Sequence, residues 1–240
     1  MDNILNDKKA EYFLPGSIII AALLISGAWI YTGGPKINNV VKNEKNETGI
    51  NNELAVLENV NPISQDDHIR GSSNATVKII EFSDLECPFC KVYHQTMRQI
   101  LAEYSGRVAL IYRHYPLEQL HSKAKKSAQA SECAAELGGN GKFWDFLDQY
   151  FVITPSNDQM DMSKLPEIAQ TIGLNKKQFE NCLNSDKYIS KIDEQTKNAI
   201  DSGARGTPYS IVISSSGKKY QISGAYPYAE VKAIIDGALK

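Results

Sequence analysis

Cys87 and Cys90 stand two residues apart with Pro88 and Phe89 between them. A dithiol at this spacing can close into a disulfide or pass one to another protein, provided that one sulfur ionises easily. The stretch 75–82 just before the pair is β-branched and apolar and predicts a buried strand. The stretch after it predicts a helix to about Tyr104, ended by Gly106. Cys87 therefore falls at a helix N-terminus, where unpaired N–H groups and the partial positive charge favour thiolate over thiol. Pro88 suits the first helical turn, because its missing N–H would have no partner there. Cys90 follows one turn later, in reach to resolve a mixed disulfide on Cys87. Phe89 offers an apolar surface to a substrate.

Two other chemistries use the same residues. Cys87, Cys90 and His94 could ligate zinc, with His68, His114 or His121 as a fourth ligand, but no second Cys-x-x-Cys completes a structural site. A purely structural disulfide would close a very small loop and stabilise little through chain entropy. The strand–Cys-x-x-Cys–helix context favours redox chemistry over both, and no metal is expected.

The elements that must hold this pair run in the order β-α-β, a helical block, then β-β-α. The second strand is predicted at 107–113 and helices over 118–203, with breaks at Gly138-Gly139, Thr154-Pro155, Gly173 and Ser185-Asp186. Strands return at 209–213 and 219–222, and a last helix is expected over 228–238. The first two strands can lie parallel through their crossover helix, while the closing hairpin must add antiparallel strands. The result is a small mixed sheet with helices on both faces and a helical insertion. Phe143, Trp144, Phe146 and Tyr150 form an aromatic helical stripe, expected in the core of that insertion.

The N-terminus carries a different signal. No charged residue occurs from Tyr12 to Pro35, and the centre of this stretch is almost wholly apolar. Its length suffices to cross a hydrocarbon core of about 30 Å. Trp29 and Tyr31 lie at one end, and Lys8 and Lys9 precede it, as for a helix whose N-terminus is cytoplasmic. A cleaved signal peptide is the alternative, with Ser26-Gly27-Ala28 as a poor cleavage site. Either reading sends the rest of the chain across the membrane, where disulfides persist. Residues 1–11 then form a cytoplasmic N-terminus, 12–35 the transmembrane anchor, 36–62 a polar flexible tether and 63–240 the folded domain.

Over the 240 residues the hydrophobic fraction is 42% and the charged fraction 22%, as in ordinary globular chains. The net charge of −2 and the lack of a long basic run argue against nucleic acid as a partner. Four cysteines are too few for a small disulfide scaffold.

From Asp67 onward the chain resembles the DsbA-like branch of the thioredoxin superfamily. The resemblance rests on the run Glu81 to Cys90, on Tyr112-Arg113-His114-Tyr115-Pro116-Leu117, on Gly141-Lys142-Phe143-Trp144 and on Gly206-Thr207-Pro208-Tyr209. It implies an α/β thioredoxin-like fold with a mixed central sheet and an inserted helical subdomain over about 118–203, preceded by the N-terminal transmembrane helix. It also implies a cis-proline loop at Thr207-Pro208 facing the Cys87–Cys90 pair, against an ordinary trans turn on local grounds. The Thr before that proline is closer to isomerase-type members than to the best-known oxidase. Glu81 matches a buried acid that could take a proton from Cys90, the alternative being a strand-end acid paired with Arg113 or a lysine. Cys133 and Cys182 match a structural disulfide found in related proteins, the alternative being two buried free thiols. The implied activity is thiol–disulfide exchange outside the cytoplasm without a bound cofactor, most simply disulfide formation. Its clients would be reduced or unfolded secreted and membrane proteins, and a DsbB-like membrane protein would reoxidise it. A reductase or isomerase and a non-catalytic peptide-binding module are the rivals.

Overall fold

The computed structural model describes residues 57–240, all within the second of the chain's two compact units, residues 47–240. The expected anchor at 12–35 lies outside the described residues. Among the described residues no helix is long and apolar enough to cross a membrane.

Five strands form one sheet: β1 (His68–Gly71), β2 (Val77–Ser83), β3 (Val108–His114), β4 (Tyr209–Ile213) and β5 (Lys219–Ser223). Their spatial order is β1-β3-β2-β4-β5. β2 and β3 are parallel, and the other pairs are antiparallel. The crossover between β2 and β3 is α1 (Pro88–Glu103), which stops short of Gly106 in the left-handed region, φ 77°. Four helices of the later chain are α2 (Ala124–Ile153), α3 (Leu165–Thr171), α4 (Lys176–Leu183) and α5 (Ile189–Asp201), and α6 (Tyr228–Ala238) closes the fold.

Both sheet faces are covered, so the central strands are apolar at successive positions instead of alternating with polar ones. Val77 and Ile79 of β2 join Leu110 and Tyr112 of β3 in a core shared with Tyr93 and Met97 of α1 and with Val231 and Ile235 of α6. Ile80, Phe82 and Ile111 point the other way, onto Ala199 of α5. Burying each isoleucine stabilises the fold by about 1.5–3 kcal/mol.

The insertion packs through the aromatic stripe. Phe143, Phe146 and Tyr150 are fully buried, and Phe146 stacks on Phe179 of α4. α2 is broken at Gly139, whose φ of 75° suits a glycine, so the break expected at Gly138-Gly139 is real. Breaks also fall at Thr154, Gly173 and Asp186. Cys133 of α2 and Cys182 of α4 are joined as a disulfide across 49 residues.

Two boundaries differ from the sequence reading. The folded domain opens with a strand that the sequence reading did not include, β1, on the outer edge of β3. The folded domain also begins before residue 63, because Leu57 and Val60 are buried in the core on the α5 side. The tether cannot extend to 62.

Candidate functional site

Cys87 caps α1 in an extended conformation, and Pro88 starts the first turn. The strand ends at Ser83, and the Asp84 carboxylate accepts the Glu86 N–H at 2.8 Å, a local turn that delivers the chain to the helix. Cys87 and Cys90 are both free thiols. A hydrogen bond from Cys90 lowers the Cys87 pKa first, burial opposes it, and Thr207 and the N–H groups of Cys90 and Phe89 lower it further, to about 6. Cys90 is fully buried and goes the other way, well above the ordinary thiol range, through burial, Cys87 and Glu81. Its sulfur accepts the Asp84 N–H at 3.4 Å. The two sulfurs thus differ: Cys87 gives up its proton the more readily, and Cys90 holds on to its own.

The Thr207–Pro208 bond is cis, and the Cys87 thiol donates to the Thr207 carbonyl at 3.5 Å. The two expected groups therefore meet. A groove of about 430 Å³ opens beside them, walled by Cys87, Phe89, Leu117, Leu120, His121 and Thr207. Phe89 is 64% exposed and Leu120 71%, so its rim is apolar and open.

Glu81 sits under the pair on β2, 2% exposed. Burial pushes its carboxyl up to about 7, with the nearby Ser83 hydroxyl acting against the rise. It is not paired with Arg113, which instead binds both carboxylate oxygens of Asp67 at 2.8 Å. The buried-acid reading of Glu81 fits this geometry. A carboxyl titrating near neutrality can hold or release a proton next to Cys90.

The histidines weighed above as zinc ligands divide among different carboxylates. His121 is buried, lines the groove and bonds Asp84 through Nδ1 at 2.8 Å. His114 is buried away from the groove on Glu132, 3.0 Å, together with His68. His94 bonds Asp148 at 2.7 Å, which places its ring on the insertion and not on the dithiol.

Sequence reasoning also missed Asp84 and the loop after α2. Ser156, Asn157 and Asp158 take successive positive φ values of 65°, 53° and 62°. Glu86 fixes this left-handed turn. Its carbonyl accepts the Asn157 N–H at 2.8 Å and its carboxylate the Asp158 N–H at 2.9 Å. The turn brings Asn157 to the groove. The cue was present: Asn and Asp tolerate this region better than other side chains.

A strand, a Cys-x-x-Cys at the start of the next helix, a cis-proline facing it and a helical insertion together define a thioredoxin-like protein of the DsbA-like type. The chain belongs to the thioredoxin family, which residues 64–237 match. DsbA2 of Pseudomonas aeruginosa is similar in structure, with TM-score 0.61 and 26% identity over 73% of this chain and 96% of that one. The thiol–disulfide exchange protein alpha-DsbA2 of Wolbachia pipientis has TM-score 0.67 at 19% identity, covering 79% of this chain and 97% of that one, a likeness of fold. By sequence, the protein named Na(+)/H(+) antiporter NhaA 3 of Salinispora tropica is 31% identical over 148 residues, 61% of this chain. That stretch is 22% of the antiporter, and this chain spans about a quarter of the length of the curated relatives it matches.

Proposed function

We propose that this chain is a protein thiol–disulfide oxidoreductase acting outside the cytoplasm as a disulfide-forming oxidase. The observation that carries the reading is the split between the sulfurs: Cys87 ionises at about 6 at a helix N-terminus, and Cys90 stays protonated beneath it. A stabilised thiolate favours the reduced pair, so the Cys87–Cys90 disulfide is a strong oxidant.

In the forward reaction a client thiolate attacks Cys87 of the disulfide. The Cys87–Cys90 bond breaks, and its electron pair goes to Cys90, which takes up a proton, with Glu81 placed to supply it. A second client thiolate then attacks the client sulfur of the mixed disulfide. The client disulfide forms, Cys87 leaves as thiolate, and the client has lost two electrons to the pair. No bound cofactor enters these steps.

Reduced or unfolded secreted and membrane proteins are the clients in this reading, gripped at the apolar rim of Phe89 and Leu120 and beside Thr207-Pro208. A quinone-linked, DsbB-like membrane protein would reoxidise the pair. Residues 12–35 would hold the domain at the bilayer with the N-terminus cytoplasmic. Ion transport, which the antiporters' name states of them, is not part of the proposal.

Trapping with Cys90→Ala tests the proposal. Mixed disulfides should accumulate through Cys87 and be released by reductant. A variant that traps no client while wild-type Cys87 alkylates like free cysteine would remove the catalytic reading. Equilibration with glutathione decides direction: a potential near −120 mV supports oxidation, and one near −270 mV supports reduction.

A further inference from the structure

We propose that His121, oriented by Asp84, is a positioning residue for the exchange reaction: its imidazolium stands on the groove wall with Cys87 and stabilises that sulfur as the leaving thiolate. The inference rests on the redox reading of the pair given above.

The geometry begins with Asp84, whose side chain is fully buried. One oxygen accepts the Glu86 N–H at 2.8 Å. The other accepts the Leu117 N–H at 2.9 Å and meets His121 Nδ1 at 2.8 Å. An ionised carboxylate only accepts, so Nδ1 carries the proton and Nε2 is left to gain or lose the second one. Among the described residues Nε2 has no hydrogen-bond partner, and among those lining the groove His121 is the only basic one. Pro88 and Phe89, between the cysteines, bring no charge.

Burial works against the charged ring. The Asp84 bond and charge, then Cys87 and Asp158, outweigh it and raise the His121 pKa. The charged groups that act on the ring most strongly are Asp84 before α1, Cys87 at its start and Asp158 from the left-handed turn. Lys123, next along the chain, has its ammonium on the carbonyls of Asp158 and Met160, 2.7 and 2.8 Å. Attraction between imidazolium and thiolate is reciprocal: what Cys87 does to His121, His121 does to Cys87.

The mechanism uses this charge at one step. When the second client thiolate attacks the mixed disulfide, the Cys87–client bond breaks and its electron pair stays on Cys87 Sγ. A cation on the groove wall lowers the energy of that product and of the charge building toward it.

The test uses the full-length reduced chain, with iodoacetamide alkylation of Cys87 followed against pH. His121→Gln should raise the midpoint by at least half a unit. It should also shift the equilibrium with glutathione about threefold or more toward the oxidised pair. His121→Lys, which restores a cation, should keep the wild-type midpoint. A His121→Gln midpoint equal to wild type overturns the proposal, as do equal shifts in the Gln and Lys variants, which would mark a structural role only. Should the variants not fold, proton NMR of wild-type His121 reads the same coupling: its pKa should fall when Cys87 and Cys90 are oxidised, and an unchanged pKa overturns the proposal. Failure of the parent reading looks different, because wild-type protein would then not exchange with glutathione at all.

Discussion

The redox corner and the helical insertion each hold a cysteine pair and a buried glutamate, and they treat them in opposite ways. Glu81 under the dithiol and Glu132 in α2 are each 2% exposed. No cation among the described residues contributes to the Glu81 shift, and burial lifts it to about 7. Burial also pushes Glu132 up, but hydrogen bonds from His114 and His68 and their charges outweigh it and hold it well below the ordinary carboxylate range. Lys191 adds an ion pair at 2.8 Å. Depth alone does not set the charge of a buried acid; its partners do. The cysteines repeat the contrast. The pair in the insertion is bonded across 49 residues and spent on stability, while the pair at the helix start is left as unequal thiols.

If the two regions are divided between chemistry and stability, each substitution should strike one and spare the other. Cys87→Ser should lower exchange with a reduced, unfolded client such as ribonuclease by roughly 10³-fold or more, because the sulfur that forms the mixed disulfide is gone. Its urea midpoint should stay near that of the reduced wild type. Replacing both Cys133 and Cys182 with Ala should do the reverse, costing about 4 kcal/mol in urea unfolding for a loop of this length. Its Cys87 alkylation profile should be unchanged, and a displaced profile would show that the regions are coupled.

The glutamates sharpen the comparison through pH. The folded pKa of Glu132 lies below its unfolded value of 4.5. Its contribution is therefore complete above about pH 4.5 and is lost as the pH falls. Glu132→Gln should cost about 3 kcal/mol at pH 7, and the loss should shrink on acidification. Glu81 is raised, so its penalty is absent below about 4.5 and complete above about 7. Glu81→Gln should stabilise the protein at pH 8 by about 2–3 kcal/mol, leave pH 4 stability unchanged and slow the step that moves the Cys90 proton. Equal pH slopes in the two variants would break the contrast. The smallest effect belongs to the rim: Phe89→Ala should raise KM for a client about threefold and leave the Cys87 midpoint in place.

Much of this was legible in the chain. The strand Tyr209–Ile213 and the helix Tyr228–Ala238 stand where β-branched runs and 3.6-residue periodicity put them. Cys87, Cys90, Glu81, Thr207 and Pro208 were identified as a set, and they gather at one corner of the fold. β1 was not found, because His68–Gly71 is four residues with no alternation and takes its place only by pairing with β3. The places of His121 and His114 were not legible for a related reason. A histidine's role depends on which carboxylate meets it, and Asp84 and Glu132 reach them from 37 and 18 residues away in sequence. The left-handed turn at Ser156–Asp158 was missed as well, since Glu86, which fixes it, lies on the far side of α2.

That turn also joins two sides of the groove. Asn157 forms part of the groove wall, and its amide hangs from the carbonyl of Glu86, the residue just before Cys87. One backbone hydrogen bond of 2.8 Å therefore ties the far wall of the groove to the peptide that leads into Cys87, so the two sides of the groove share a single frame.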